Sequence, residues 1–270
     1  MKLKLAALAV LGWSGLAAEP FYQLASALVI PSPSAPSWDY LTYDSAHDRL
    51  LIARRDDGIL IYDAKAKKLT GAIEDSKGGN STVLIPELDR GYVVKQGGTL
   101  LVISASTLKK IGSVSAGETA DNAFYDPATK QLLVTQGDNN QVSFLDAQTG
   151  AVNGVLKIDS ESIEGSVADG EGFYYTALRD KDKVLKIDAR ARKVVGEWSI
   201  GKHVKPNSVA YDRANQRVFV TTRGSDAALL VFDRDGKIVA ETPIGLNNDS
   251  IVFDPDTKKI YTANGCDGTL

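Results

Sequence analysis

An aromatic residue followed by aspartate recurs at Tyr43-Asp44, Tyr125-Asp126, Tyr211-Asp212 and Phe253-Asp254, with Ala168-Asp169 and Leu84-Ile85 as weaker copies. The second residues of these pairs are spaced 41, 41, 43, 43 and 42 positions apart. A second anchor, at Tyr62-Asp63, Ile103-Ser104, Leu145-Asp146, Ile187-Asp188 and Phe232-Asp233, ends a short alternating apolar run at intervals of 41, 42, 42 and 45. Two anchors keeping one period define a repeated supersecondary unit, which buries its apolar faces by stacking on its neighbours.

Each unit reads as four short strands. In the third, runs at 122–125, 132–135, 142–145 and 152–158 are separated by the turns Asp126-Pro127-Ala128-Thr129-Lys130, Gly137-Asp138-Asn139-Asn140 and Asp146-Ala147-Gln148-Thr149-Gly150. Apolar runs of this length, bounded by Asp, Asn, Gly and Pro, are strand and turn signals. No segment after the N-terminal stretch keeps a helical apolar period over three turns. The expected fold is all-β, a β-propeller of four-stranded blades. In it the aromatic of each pair packs between blades and the Asp carboxylate accepts N–H groups of the turn it opens. Such repeated aspartates are structural.

Lys2 and Lys4 precede the apolar run Leu5–Leu11, and small residues follow at Gly15, Ala17 and Ala18. This pattern predicts a secretory signal peptide over 1–17, cleaved near Ala17 or Ala18, and a periplasmic or extracellular product. No later apolar run is long enough for a membrane helix. The formal charge of −3 becomes −5 once Lys2 and Lys4 are removed, which disfavours a nucleic-acid or membrane binder. Two His and the single Cys266 weaken zinc, disulfide and His-based hydrolytic chemistry, and Cys266 reads as a plain structural thiol. His47 falls in a turn. His203, beside Lys202 and Lys205, is the histidine placed to reach a channel mouth.

The stretches Trp38–Asp44, Tyr125–Lys130, Leu145–Gly150 and Ala263–Leu270 resemble the YVTN β-propeller repeats of exported bacterial proteins, and the resemblance covers the whole of 18–270. It implies seven blades related to those of quinoprotein amine dehydrogenase and nitrous oxide reductase, monomeric when full length. The units fall at about 38–78, 79–118, 119–162, 163–204, 205–246 and a partial 247–270, with 21–30 as a closing strand. Five complete blades and part of a sixth are expected, and the chain reads as a C-terminally truncated member. The quinone-docking pattern of some relatives fails: Asp146 to Gly150 matches its start, but Gly154 stands where Trp is required. No cofactor is expected.

Propellers concentrate function at the channel mouth. The segments leading into the innermost strands supply Trp38, Asp39, Asn80, Asp121, Asn122, Glu164, Asn207, Asn248 and Asp249. Such oxygen ligands would suit Ca²⁺, as in metal-dependent propeller lactonases, while a water-filled channel requires a polar lining in any case. The loops after the second strands supply Arg54, Arg55, Lys95, Gln136, Arg179, Arg223 and Asn264, of which Arg54, Lys95, Gln136 and Asn264 lie ten residues after their anchors. A positive rim of this kind would hold an anion, or a single strand of nucleic acid with Trp38 as a stacking surface; solvated loop charges are the plainer alternative. The favoured function is a non-enzymatic propeller binding a small molecule or protein at its mouth. A lactonase-like hydrolase comes second, and single-stranded nucleic-acid binding or a redox-complex scaffold third.

Overall fold

The structure is a computed structural model describing residues 27–32 and 37–270. It divides into a leading unit, Met1–Pro33, and a second unit, Ser34–Leu270. In the leading unit, residues 27–32 carry no regular secondary structure. The expected signal peptide and residues 21–26 of the expected closing strand lie outside the described residues.

The second unit is a β-propeller. Five antiparallel four-stranded sheets and one two-stranded sheet follow one another along the chain, each pairing its strands in sequence order. We number them blade 1 (41–72), blade 2 (79–115), blade 3 (122–157), blade 4 (163–199), blade 5 (206–243) and blade 6 (248–264). Helix is limited, among the described residues, to two single 3-10 turns, Pro86–Leu88 and Gly137–Asn139. None is long and apolar enough to cross a membrane.

The first strand of each blade is innermost. Consecutive first strands, Leu41–Asp44, Gly79–Ile85, Asn122–Asp126, Ile163–Ala168, Pro206–Asp212 and Asn248–Asp254, pack side by side around a channel they line. Second strands are the most buried, as in Gln131–Gln136, whereas fourth strands such as Val152–Lys157 alternate towards solvent. This gradient follows from stacking, because the middle of each blade is covered on both faces.

The core is divided by the blade boundaries. One cluster joins blades 1 and 2 through Leu51, Ile59, Val93 and Ile103, and another joins blades 2 and 3 through Tyr92, Leu100, Leu132 and Leu145. Leu133, Phe144, Tyr174 and Ile187 join blades 3 and 4; Tyr175, Trp198, Val220 and Phe232 join blades 4 and 5. Aromatic contacts cross the same boundaries, with Phe124 5.8 Å from Tyr174, Tyr175 stacked 5.6 Å from Tyr211, and Phe219 5.3 Å from Phe253. Tyr211 and Phe253, each the aromatic of a repeated pair, therefore pack between blades. Tyr43 does not: it is exposed, because no blade among the described residues covers that side of blade 1, and its hydroxyl donates to Asp48 at 2.7 Å.

The repeated aspartates close turns. Asp44 accepts from the Ala46 N–H at 3.2 Å, Asp126 from Thr129 at 3.1 Å, Asp212 from Ala214 at 3.0 Å and Asp254 from Asp256 at 3.0 Å. The second anchor behaves alike, with Asp63, Asp146, Asp188 and Asp233 each accepting N–H groups two to four residues on. Four residues after Asp44, Asp63, Asp126, Asp188, Asp212 and Asp254 the chain turns left-handed, at Asp48, Lys67, Lys130, Arg192, Gln216 and Lys258. Holding non-glycine residues there shows how strongly the turn geometry is imposed.

Candidate functional site

The segments leading into the inner strands reach one end of the channel, and most carry a β-bulge. Register shifts occur between Gly79 and Ser81, Ile163 and Ser166, Pro206 and Val209, and Asn248 and Ser250. The residues released from regular pairing are Asn80, Glu164, Asn207 and Asp249, with Gly165 and Ser208. A bulge bends its strand and re-aims its side chains, which is why bulges gather beside binding sites. Gly165 permits the close approach: a Cβ there would sit 2.5 Å from the Asn207 carbonyl oxygen and 2.6 Å from the Ser208 Cα.

Acids and arginines at this end neutralise one another. Arg55 pairs with Asp39, its Nε at 2.9 Å and its terminal nitrogen at 2.8 Å from the same carboxylate oxygen. Arg179 pairs with Glu164 at 2.7 Å and also donates to the Asn207 side-chain oxygen. Arg223 binds the Asp249 carboxylate and donates through Nε to the Asn248 carbonyl at 2.6 Å. The amides are tied down as well. Asn207 donates to the Asn248 carbonyl at 3.1 Å, Asn248 donates to the carbonyls of Ser250 and Ala263 at 3.0 Å, and Asn122 Oδ1 accepts from its neighbour Ala123 at 2.8 Å.

Four expected rim residues lie elsewhere. Arg54 is buried, its guanidinium 4.5 Å from the Trp38 ring centroid, so it supports one face of the exposed Trp38. Gln136 is buried, donating to the Ala116 carbonyl at 2.8 Å and Ser143 Oγ at 2.5 Å. Asn264 is buried against Thr262 and Thr269. Lys95 reaches the Asp75 carbonyl at 2.8 Å. The physical reason is strand alternation: successive side chains point to opposite faces, and it is the following residues, Arg55, Gln96 and Gly137, that line the mouth. His203 is likewise buried in a separate cleft, with Nδ1 3.3 Å from Asp226 and Nε2 3.2 Å from Glu241. That cleft shares no lining residue with the mouth. Cys266 is a free, exposed thiol.

At the mouth lies a cavity of about 500 Å³ formed by blades 1 to 4 and their connecting segments, with Arg55, Asn80, Asp121 and Glu164 in its wall, while Trp38, Asp39, Asn122, Arg179, Asn207, Arg223, Asn248 and Asp249 lie outside that wall. Sequence reasoning missed Gln96, Thr119, Asp138, Glu161 and Ser162, which complete its polar lining; Asp138 reads as a turn residue and Glu161 as linker until the loops are brought together. Tyr40, read only as part of a repeat motif, lines the adjoining channel and reaches the Asn122 amide. Burial and the field of Asp121, Asp39 and Glu164 hold its phenol far above the usual tyrosine range.

Asp121 differs from the other acids. No hydrogen bond or ion pair to its carboxylate is found among the described residues, and burial, followed by repulsion from Asp39 and Glu164, raises its pKa to about 6 despite the attraction of Arg55. Asn80 presents a second unmatched group: the residue is 4% exposed and its Oδ1 accepts no hydrogen bond among the described residues. No three His, Cys, Asp or Glu side chains converge as a metal site would require, again among the described residues. The hard-cation expectation therefore lacks a carboxylate cage.

No protein-family model and no curated protein matches the chain. Solved structures do. Hydrazine synthase of Kuenenia stuttgartiensis superposes with a TM-score of 0.73 at 17% identity, over 85% of this chain and 81% of that one. A chain of the mitotic checkpoint complex superposes with a TM-score of 0.71 at 13% identity, over 97% of this chain and 82% of that one. The shared property is the fold. At these identities nothing about ligand or chemistry is transferred.

Proposed function

We propose that this propeller is an exported, non-enzymatic binding protein that holds a small polar ligand in the cavity at its channel mouth. The observation carrying the reading is the asymmetry of the mouth: Arg55, Arg179 and Arg223 are all committed to acids, while Asp121 is left without a counter-ion in a cavity large enough for a ligand. The neutralised rim also argues against an anionic strand of nucleic acid, and the absence of a carboxylate cage among the described residues argues against the metal-dependent lactonase. Kinship with exported YVTN propellers is part of the same proposal and rests on the Trp38–Asp44 and Tyr125–Lys130 motifs and on the Lys2–Ala18 leader pattern.

A ligand-independent test is available through Gly137. A Cβ added there meets only the Ile163 carbonyl, at an ordinary 3.5 Å, so Gly137→Phe should project a ring into the cavity and leave the fold intact. A thermal-shift screen of small polar metabolites, anionic and cationic, should yield stabilising compounds whose effect disappears in Gly137→Phe. A screen in which every hit survives that substitution, or in which the wild type but not the variant hydrolyses lactones, refutes the reading.

A further inference from the structure

The charge of the cavity and its unmatched acceptors say more about what enters it. Its wall carries four carboxylates, Asp121, Asp138, Glu161 and Glu164, against one guanidinium, that of Arg55. Arg55 is already engaged by Asp39, which stands beside the cavity, and Glu164 by Arg179. The cavity is therefore short of positive charge. The buried Asn80 Oδ1 calls independently for a donor. A buried acceptor without a donor costs about 1–3 kcal/mol, and this one belongs to a bulged residue in the wall of the cavity, so a donor that draws the Asn80 side chain towards it gives this oxygen the partner it lacks.

We propose that the cavity takes the ammonium group of a small primary amine, with Asp121 as counter-ion and Asn80 Oδ1 as hydrogen-bond acceptor. This assignment rests on the binding role argued above and names its ligand class. Three features select that class over other cations. A metal ion held by carboxylates, histidines or thiols needs three of them to converge, and no such group is available among the described residues. A quaternary ammonium ion is recognised by aromatic faces, whereas no aromatic ring is among the residues lining this cavity. A primary ammonium carries three donors and so can use an unpaired carboxylate and an unpaired amide oxygen together. The volume, about 500 Å³, exceeds what one ammonium group fills, and Asp138 and Glu161 offer a second anionic position, so diamines and longer polyamines are the best-matched members.

The proposal is tested by calorimetric titration of the full chain with 1,4-diaminobutane and spermidine at pH 7.5, alongside choline, CaCl₂ and citrate. Saturable binding of the diamine is expected, weakened at least about tenfold by Asp121→Asn through loss of the counter-charge in the cavity wall and more mildly by Asn80→Ser, with both variants unfolding cooperatively near the wild-type temperature. Lowering the pH to 5 should weaken binding, by up to about tenfold, since a carboxyl whose pKa is raised towards 6 gains a proton over that range. Choline and Ca²⁺ should neither bind tightly nor displace the diamine. Amine binding unchanged in Asp121→Asn, or Ca²⁺ binding that depends on Asp121, overturns the assignment. Citrate binding lost in Arg55→Ala and in Gly137→Phe also overturns it while leaving a ligand at the mouth. Failure of every probe here, combined with an empty metabolite screen, removes the binding role itself.

Discussion

Replacing Asp121 by Asn should make the folded protein more stable at neutral pH and progressively less so in acid. Burial, then the charges of Asp39, Glu164 and Asp138, outweigh the attraction of Arg55 and lift the Asp121 pKa from 3.8 to about 6. An acid that holds its proton more tightly when folded than when unfolded opposes folding once ionised. The penalty is therefore absent below the unfolded pKa, grows between 3.8 and about 6, and is complete above that. At about 1.4 kcal/mol per pKa unit, the shift of roughly two units corresponds to about 3 kcal/mol for a sealed site. The Asp121 side chain opens to the channel, so solvent screening reduces this to about 1 kcal/mol. Asparagine keeps the shape and removes the charge. Urea unfolding followed by circular dichroism at pH 7.5, 6.0 and 4.5 should show the variant ahead by about 1 kcal/mol at pH 7.5 and by less at pH 4.5. For a domain of this size the neutral-pH gain corresponds to about 2–4 °C in Tm. Equal stabilities at all three pH values, or a variant less stable at pH 7.5, would refute an uncompensated carboxylate at this position. A gain in stability from removing a charge that serves binding is the expected signature of a functional group.

Two further outcomes follow from the mouth geometry. Gly165→Ala should cost about 1–3 kcal/mol by overpacking, because the new methyl would meet backbone at 2.5 and 2.6 Å and drive the inner strands of blades 4 and 5 apart; unchanged thermal unfolding would show that the strands yield freely. Gln136→Ala should cost about 2–3 kcal/mol, since it strips a buried donor from the Ala116 carbonyl and Ser143 Oγ. It should leave diamine affinity within about twofold, whereas a binding defect without destabilisation would return Gln136 to the rim.

The repeat was legible because its determinants are local: an Asp that captures N–H groups two to four residues away, as Asp146 does from Gln148 and Thr149, leaves its mark in a few consecutive residues. The mouth was harder to read because its determinants are not local. Counting ten residues from each anchor reached Arg54, Lys95 and Gln136, which lie on the wrong side of a period-2 alternation, and one more residue would have reached the wall. Pairing between carboxylate and guanidinium was hidden for a different reason. Glu164 meets Arg179 within one blade, but Asp249 meets an arginine of the preceding blade, so the partner depends on how neighbouring blades are staggered.

One part of the site was nevertheless present in the sequence. Eleven residues after their anchors, the units place Arg55, Gln96, Gly137 and Arg223 at the same structural position. Where the first unit has a guanidinium to neutralise Asp39, the third has a glycine, and Asp121, the acid that precedes the inner strand of that unit, is left unpaired. A repeat supplies its own reference state in this way. The residues that recur in most units, such as the turn aspartates, serve the fold they share. A departure that removes a counter-charge costs stability and clears space at one point of the ring; stacking does not require it, and the approach of a cation gives it a use.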